Sequence, residues 1–260
     1  MDIVHFDTEI TTTSLASDLR ECAILLDVDG TILDIAPAPQ EVWVPPSLRY
    51  TLGRLHELTV GAVALVSGRS LNDLDHIFAP LKLAAIGGHG AELQPVPGTE
   101  PLKRAKALSG ELKRSLASLT ELGPGVVLED KGYSLAIHYR LAPDLGPMLN
   151  AAVMRICAQT PSDTLAIMPG KAVIEVKSAG VSKALAVREL MKYPPFNDRH
   201  PIFIGDDVTD EPVFGVVPEF GGLGFSVGRI VPGVAGHFEK PEDVRSWLAR
   251  IVADREDAAG

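Results

Sequence analysis

Apolar and polar positions alternate in blocks along the first third of the chain. Ala23-Ile24-Leu25-Leu26, Gly61-Ala62-Val63-Ala64-Leu65-Val66 and Lys82–Ile86 are short apolar runs, and Pro46–Leu58 and Ser70–Phe78 between them carry a helical pattern. A short apolar run bounded by turn signals reads as a strand buried on both faces. Strands that alternate with helices imply a parallel sheet with helices on its faces. Gln94–Pro101 has three prolines in eight positions and reads as a linker.

A different grouping follows. Leu102–Leu122 reads as an amphipathic helix, Val126–Glu129 and Tyr133–Arg140 as a hairpin, and Asp144–Thr160 as a second helix, with strands near Leu165–Met168 and Ala172–Val176. In the second hairpin strand Leu135, Ile137 and Tyr139 alternate with Ser134, Ala136, His138 and Arg140. That period of two puts one face in a core and turns the other to solvent or a ligand. The first rhythm then returns, with a helix at Ala184–Met191, strands at Pro201–Ile204 and Gly224–Val227, and a helix at Pro241–Val252. The expected fold class is therefore α/β, a Rossmann-like parallel-sheet core (21–101 and 179–255) with a smaller α+β domain (102–178) inserted into it. Met1–Arg20, polar and rich in Thr, reads as a loose leader.

The chemistry sits where the core strands end. Asp27-Val28-Asp29-Gly30-Thr31 directly follows the first strand. Ligands of open α/β sheets bind at the carboxyl ends of strands. Two carboxylates one residue apart there make an oxygen-rich site suited to Mg²⁺, and Asp is an established covalent nucleophile in phosphoryl transfer. Gly30 lets the backbone approach a phosphate, and Thr31 offers a hydroxyl and an N–H. A solvated turn is the bland alternative, since Asp and Gly favour such positions anyway.

Three further segments supply what the first lacks. Ser67-Gly68-Arg69 ends the second strand, where Ser67 could hold a phosphoryl oxygen or merely cap a helix. Gly180-Val181-Ser182-Lys183 opens a helix, and a lysine there is at the wrong end for the helix dipole. It is either a solvated surface residue or a cation aimed at the sheet edge, where it would neutralise a nucleophile and a transferring phosphate. Gly205-Asp206-Asp207-Val208-Thr209-Asp210-Glu211 follows the strand Pro201–Ile204 and holds four acidic residues within six positions. Such a run is self-repelling unless a cation or hydrogen bonds compensate it; a solvated acidic loop is the alternative. Nucleophile, acid, hydroxyl, cation and metal ligands together form the inventory of a phosphoryl-transfer site.

Composition narrows the partners. Hydrophobic residues are 46% of the 260 positions, enough for a sizeable core, and the net charge is −10. That balance argues against nucleic acid as a partner, and an anionic substrate must be attracted locally, against the global field. Cys22 and Cys157 lie far apart, adjoin apolar residues and read as buried thiols. There is no signal-peptide pattern and no apolar stretch of membrane-spanning length, so a cytoplasmic protein without a membrane partner is expected.

In this order the four segments resemble the haloacid dehalogenase superfamily of phosphotransferases. Within it the chain is similar to the trehalose-6-phosphate phosphatases. The similarity is carried by the first motif with its continuation Ile32–Pro39, by Ser67-Gly68-Arg69, Gly88-His89-Gly90-Ala91-Glu92 and Gly180–Lys183, and above all by Gly205–Glu211. Glu129-Asp130-Lys131 and Ser134–Arg140 add a match in mid-chain, and the likeness runs from about Ala23 to about Leu248.

The resemblance implies Mg²⁺-dependent hydrolysis of trehalose 6-phosphate, with the inserted domain as a cap between the serine and lysine segments. Asp27 would be the nucleophile, forming an aspartyl-phosphate. Asp29 would be the acid and then the base, kept protonated by adjacent carboxylates. Ser67 and Lys183 would complete the catalytic set. Mg²⁺ would be held by Asp27, the backbone carbonyl of Asp29, and Asp206. Asp210 would be an outer partner of the metal or of Lys183, and Asp207 stays open between direct and outer contact. Thr31, Arg69 and His89 would line the substrate cleft. Glu129, Lys131 and Glu175 would grip sugar hydroxyls, with cross-strand salt bridges as the alternative. His138 and Arg140 would reach phosphate or sugar, or form a surface pair. Other sugar phosphates (sucrose 6-phosphate, mannosyl-3-phosphoglycerate), a phosphomutase and a non-catalytic sugar-phosphate sensor are the competing expectations. A monomer with a functional link to trehalose-6-phosphate synthase completes the picture.

Overall fold

The computed structural model describes residues 19–35, 42–160, 165–170 and 172–259. They fall into two compact units, Met1–Leu102 with Ser182–Gly260, and Lys103–Val181. Most of the expected leader lies outside the described residues. Its end, however, is folded, as a 3-10 turn over Leu19–Glu21 that buries Leu19.

The first unit is built on an eight-stranded sheet. Its strands in chain order are β1 (Cys22–Leu26), β2 (Val63–Val66), β3 (Ala84–Gly87), β4 (Glu92–Gln94) and β5 (Leu102–Lys103), then β10 (His200–Gly205), β11 (Leu223–Val227) and β12 (Gly236–Phe238). They lie in the order β12-β11-β10-β1-β2-β3-β4-β5. The pairs from β12 to β3 are parallel, and β4 runs antiparallel to β3. All five positions of β1 are buried because both faces of the sheet are covered. Ile24 and Leu26 pack with the helices Pro46–Leu58, Leu71–Phe78 and Pro241–Ala259, whereas Ala23 and Leu25 pack with Lys183–Leu190 and Glu211–Phe214. A fully buried Leu or Ile contributes about 1.5–3 kcal/mol, so this alternation ties β1 to both helical layers.

The chain leaves β1 toward β2 and returns on β1's other side as β10. That reversal is a topological switch point, and it opens a crevice at the strands' carboxyl ends.

The second unit is a four-stranded antiparallel sheet in the order β6-β7-β9-β8, formed by β6 (Val127–Asp130), β7 (Ser134–His138), β8 (Leu165–Gly170) and β9 (Val173–Ser178). Leu135, Ile137, Ile174 and Val176 point to one face and meet Leu112, Leu116, Leu149 and Val153 from the helices Gly110–Ala117 and Gly146–Ala158. One helical layer on an antiparallel sheet is the α+β arrangement expected.

Several elements differ from the expectations. The long helix over Leu102–Leu122 is confined to Gly110–Ala117, followed by a 3-10 turn. Ser109 caps it by accepting the Leu112 N–H, and the preceding residues include β5; helix-favouring composition is a weak prior that such local bonds override. The proline-rich stretch is a bonded turn, with Gln94 Nε2 donating to the Thr99 carbonyl at 2.6 Å and Thr99 N to Val96 O at 3.2 Å. Strand β7 ends at His138, so Arg140 lies in the turn beyond it and off the strand's polar face. Cys157 is half-buried where a buried thiol was expected, and neither cysteine forms a disulfide. Strands β4, β5 and β12 went unforeseen, being too short to show a period.

Candidate active site

β1 delivers Asp27 to the crevice, and the Asp27 N–H extends the ladder by donating to the β10 carbonyl of Ile204 at 2.9 Å. β10 delivers Asp206 beside it. Thr31 Oγ1 lies 3.0 Å from Asp27 Oδ2 and 3.1 Å from Asp206 Oδ1. A hydroxyl carries one proton, so the three oxygens share what protons they have. Thr31 is fully buried, and its N–H lies 3.4 Å from the Val28 carbonyl. Gly30, at φ +83°, makes the crowding possible: a Cβ there would stand 2.2 Å from Asp206 Oδ2.

Lys183 is not a surface residue. Only 3% exposed, it lies at the start of the helix Lys183–Leu190, whose cap Ser182 accepts the Leu185 N–H. Its Nζ sits 2.7 Å from Asp27 Oδ1 and 2.7 Å from Asp210 Oδ1. Gly90 allows the approach of the neighbouring turn, since a Cβ there would meet the Ser182 carbonyl oxygen at 2.3 Å. Burial acts to lower the pKa of Lys183, but the charges of Asp27 and Asp210 outweigh it and hold the ammonium above its ordinary range.

The carboxylates bear the opposite stress. Burial first, then the charge of Asp27, push Asp206 up to about 8 and Asp210 up to about 7. Asp29, expected to be the crowded one, instead meets a cation: Arg69 Nε lies 2.6 Å from Oδ2 and Nη2 2.7 Å from Oδ1.

Ser67, 1% exposed at the end of β2, accepts the Arg69 N–H at 3.1 Å. His89 N donates to Ser67 O at 3.0 Å and Gly88 N to Arg69 O at 2.8 Å, while Glu92 accepts the Leu71 N–H at 3.1 Å. His89 adopts a left-handed conformation at φ 53°, and its ring packs over Gly68. The 88–92 turn thus braces the loop that carries Ser67 and Arg69. The partner of Glu92 is a backbone group that no spacing reveals.

Within the acidic segment, Asp210 engages both oxygens, accepting Lys183 on Oδ1 and the Asp207 N–H on Oδ2 at 3.1 Å. Asp207, which is exposed, caps the 3-10 turn Val208–Asp210, accepting from Val208 N and Thr209 Oγ1. Asp27, Asp206 and Asp210 place carboxylate oxygens within 4.8 Å of one another. Three carboxylates, two of them paired with one ammonium, leave excess negative charge in an all-oxygen donor set, which fits Mg²⁺.

The second unit holds its own polar cluster on the sheet face opposite its helices. Glu129, Ala136 and Glu175 stand in one cross-strand row. His138 Nε2 lies 3.0 Å from Glu129, and Ser134 Oγ donates to Glu175 at 2.7 Å. Lys131 Nζ is 3.9 Å from Glu129 and 4.0 Å from Glu175. Ser134 and Lys177, both buried, pair across the same strands, and the sequence pattern gives neither a role. Arg140 is exposed.

The fold is shared with solved phosphatases of the haloacid dehalogenase superfamily. The chain belongs to the trehalose-phosphatase family, whose family model matches residues 25–235. A Sinorhizobium fredii protein called a probable trehalose-phosphate phosphatase is 39% identical over 242 residues, spanning 92% of this chain and 91% of that one. The trehalose-6-phosphate phosphatase of Escherichia coli is 36% identical over 231 residues, 88% of this chain and 86% of that one. The solved C-terminal domain of C. albicans trehalose-6-phosphate phosphatase superposes with a TM-score of 0.81 at 22% identity, over 95% of this chain and 97% of that one, a likeness of fold. The family is one of phosphoric monoester hydrolases. Among the described residues no helix is long and apolar enough to cross a membrane.

Proposed function

We propose that the protein hydrolyses trehalose 6-phosphate to trehalose and phosphate, dependent on Mg²⁺ and through a phosphorylated Asp27. The family names the substrate. The observation that carries the chemistry is the buried Lys183 ammonium held 2.7 Å from Asp27, beside Asp206 at the sheet's switch point.

Asp27, paired with the Lys183 ammonium, bonds to phosphorus as the bond from phosphorus to the sugar oxygen breaks. Asp29, paired with Arg69 before substrate arrives, takes up a proton from water as that pair opens and gives it to the departing oxygen. Asp29 then takes a proton from water as the water oxygen bonds to phosphorus and the Asp27–phosphorus bond breaks, which frees phosphate and restores both carboxyl groups. Ser67 donates its hydroxyl proton to a phosphoryl oxygen, and Thr31 holds Asp27 and Asp206 in register. Asp27, the carbonyl of Asp29, and Asp206 are the proposed metal ligands, with Asp210 as an outer partner through Lys183. Bound there, Mg²⁺ would offset the carboxylates' charge and polarise a phosphoryl oxygen.

Glu129, Lys131, His138 and Glu175 supply hydrogen-bonding groups for the sugar, and His89 and Arg140 belong to the same proposal as contacts to substrate. The chain acts as a monomer in the cytoplasm, where its cysteines stay reduced, and it serves a trehalose-6-phosphate synthase.

Phosphate release from trehalose 6-phosphate, glucose 6-phosphate and sucrose 6-phosphate, with Mg²⁺ and with EDTA, tests this. Turnover confined to the trehalose ester, lost in EDTA and in Asp27→Asn, is expected. Equal turnover of all three esters would sink the substrate assignment, and EDTA-resistant turnover would sink the metal.

A further inference from the structure

We propose that Arg229 is a positioning residue for the acidic segment, and that it sets the site's affinity for a divalent cation. This rests on the Mg²⁺ reading above. Arg229 follows β11 and Gly228. Its Nε donates to the backbone carbonyl of Asp206 at 2.8 Å, and its Nη1 to the Glu211 carboxylate at 2.6 Å. One planar guanidinium therefore grips both ends of the segment that β10 delivers. The fork is rigid, so the two bonds set the spacing between those ends. The third nitrogen, Nη2, is buried without a hydrogen-bond partner, so the orientation satisfies the first two bonds at the expense of the third.

Asp206 needs such a hold. The last register pair between β10 and β11 is Gly205 with Ser226, so the Asp206 carbonyl lies just past the ladder. Its carboxylate fits a slot closed by Gly30, where even a Cβ would collide, and by Thr31 Oγ1 at 3.1 Å. A backbone shift at Asp206 carries that carboxylate out of register with Asp27. Mutual repulsion among Asp206, Asp207, Asp210 and Glu211 favours such a shift, and Arg229 opposes it from outside the carboxylate cluster.

Position and charge predict opposite signs. As a nearby positive charge alone, Arg229 weakens cation binding, so Arg229→Ala would bind Mg²⁺ more tightly and Arg229→Lys would match the wild type. As a positioning group it strengthens binding, and supports of this kind are typically worth about 10–100-fold in metal affinity. The test is the Mg²⁺ concentration that half-restores the thermal unfolding midpoint of EDTA-treated protein, read alongside the Mg²⁺ dependence of phosphate release. Arg229→Ala is expected to raise that concentration about tenfold or more. Arg229→Lys is expected to fall between it and wild type, and Glu211→Gln to raise it by a smaller factor. An unchanged or lowered value in Arg229→Ala overturns the proposal. Should that variant not fold, unchanged values in both Arg229→Lys and Glu211→Gln overturn it. A wild type that Mg²⁺ does not stabilise removes the metal reading itself, a result distinct from a failed clamp.

Discussion

Arg69 holds Asp29 by both carboxylate oxygens, at 2.6 and 2.7 Å, and its own backbone is bonded to Ser67 and Gly88. The fork turns the position of one loop into the orientation of one carboxyl group. A lysine offers a point charge and cannot make the paired contact. Arg69→Lys is therefore expected to lower kcat about tenfold and Arg69→Ala about a hundredfold, the low end of what general acid–base catalysis contributes. Steady-state phosphate release checks this, and kcat unchanged in both variants would refute the pairing's role.

Gly30→Ala is expected to lose both stability and metal affinity. At φ +83° an L side chain is strained by about 1 kcal/mol or more, and the new methyl carbon would stand 2.2 Å from Asp206 Oδ2. Urea unfolding with and without Mg²⁺ measures both effects. A variant as stable as wild type, with the same response to Mg²⁺, contradicts the geometry.

The chelated protein is expected to lose stability as pH rises from about 5 to about 8. Asp206 and Asp210 have folded pKa values of about 8 and about 7, above the roughly 3.9 of an unfolded Asp. Between those limits the folded state keeps protons that the unfolded state has released, so stability falls with rising pH. Below the unfolded value the contribution is fully present; above about 8 it is gone. On the proposed metal reading, Mg²⁺ would compete with those protons and is expected to stabilise more at pH 8 than at pH 6. Thermal unfolding in EDTA across this range decides the matter, and a midpoint that climbs steadily through it counts against the crowded carboxylate pair.

Much of the site was readable from local pattern. Asp27, Ser67 and Asp206 each follow an apolar run, and a strand buried on both faces must end in a loop at the sheet edge. Lys183 was recognisable as a candidate but not as a buried cation, because its partners Asp27 and Asp210 lie 156 and 27 positions away. Asp207 and Asp210 look alike in sequence. Only the folded loop shows one capping a turn and the other bonded to the ammonium.

By itself the sequence determined the alternation of buried strands and helices, the antiparallel inserted sheet and the edge positions of the acidic groups. These follow from periodicity and turn chemistry, which act over a few residues. Tertiary structure alone decided that Thr31 faces two carboxylates, that Arg69 takes Asp29, and that Arg229 reaches back to the Asp206 carbonyl. Those bonds join residues 40 to 175 positions apart, apart from the four-residue step from Thr31 to Asp27 and the 23-residue return of Arg229. They exist because β10 and β2 flank β1 and β11 flanks β10, and strand order is a property of the packed sheet that no local pattern encodes.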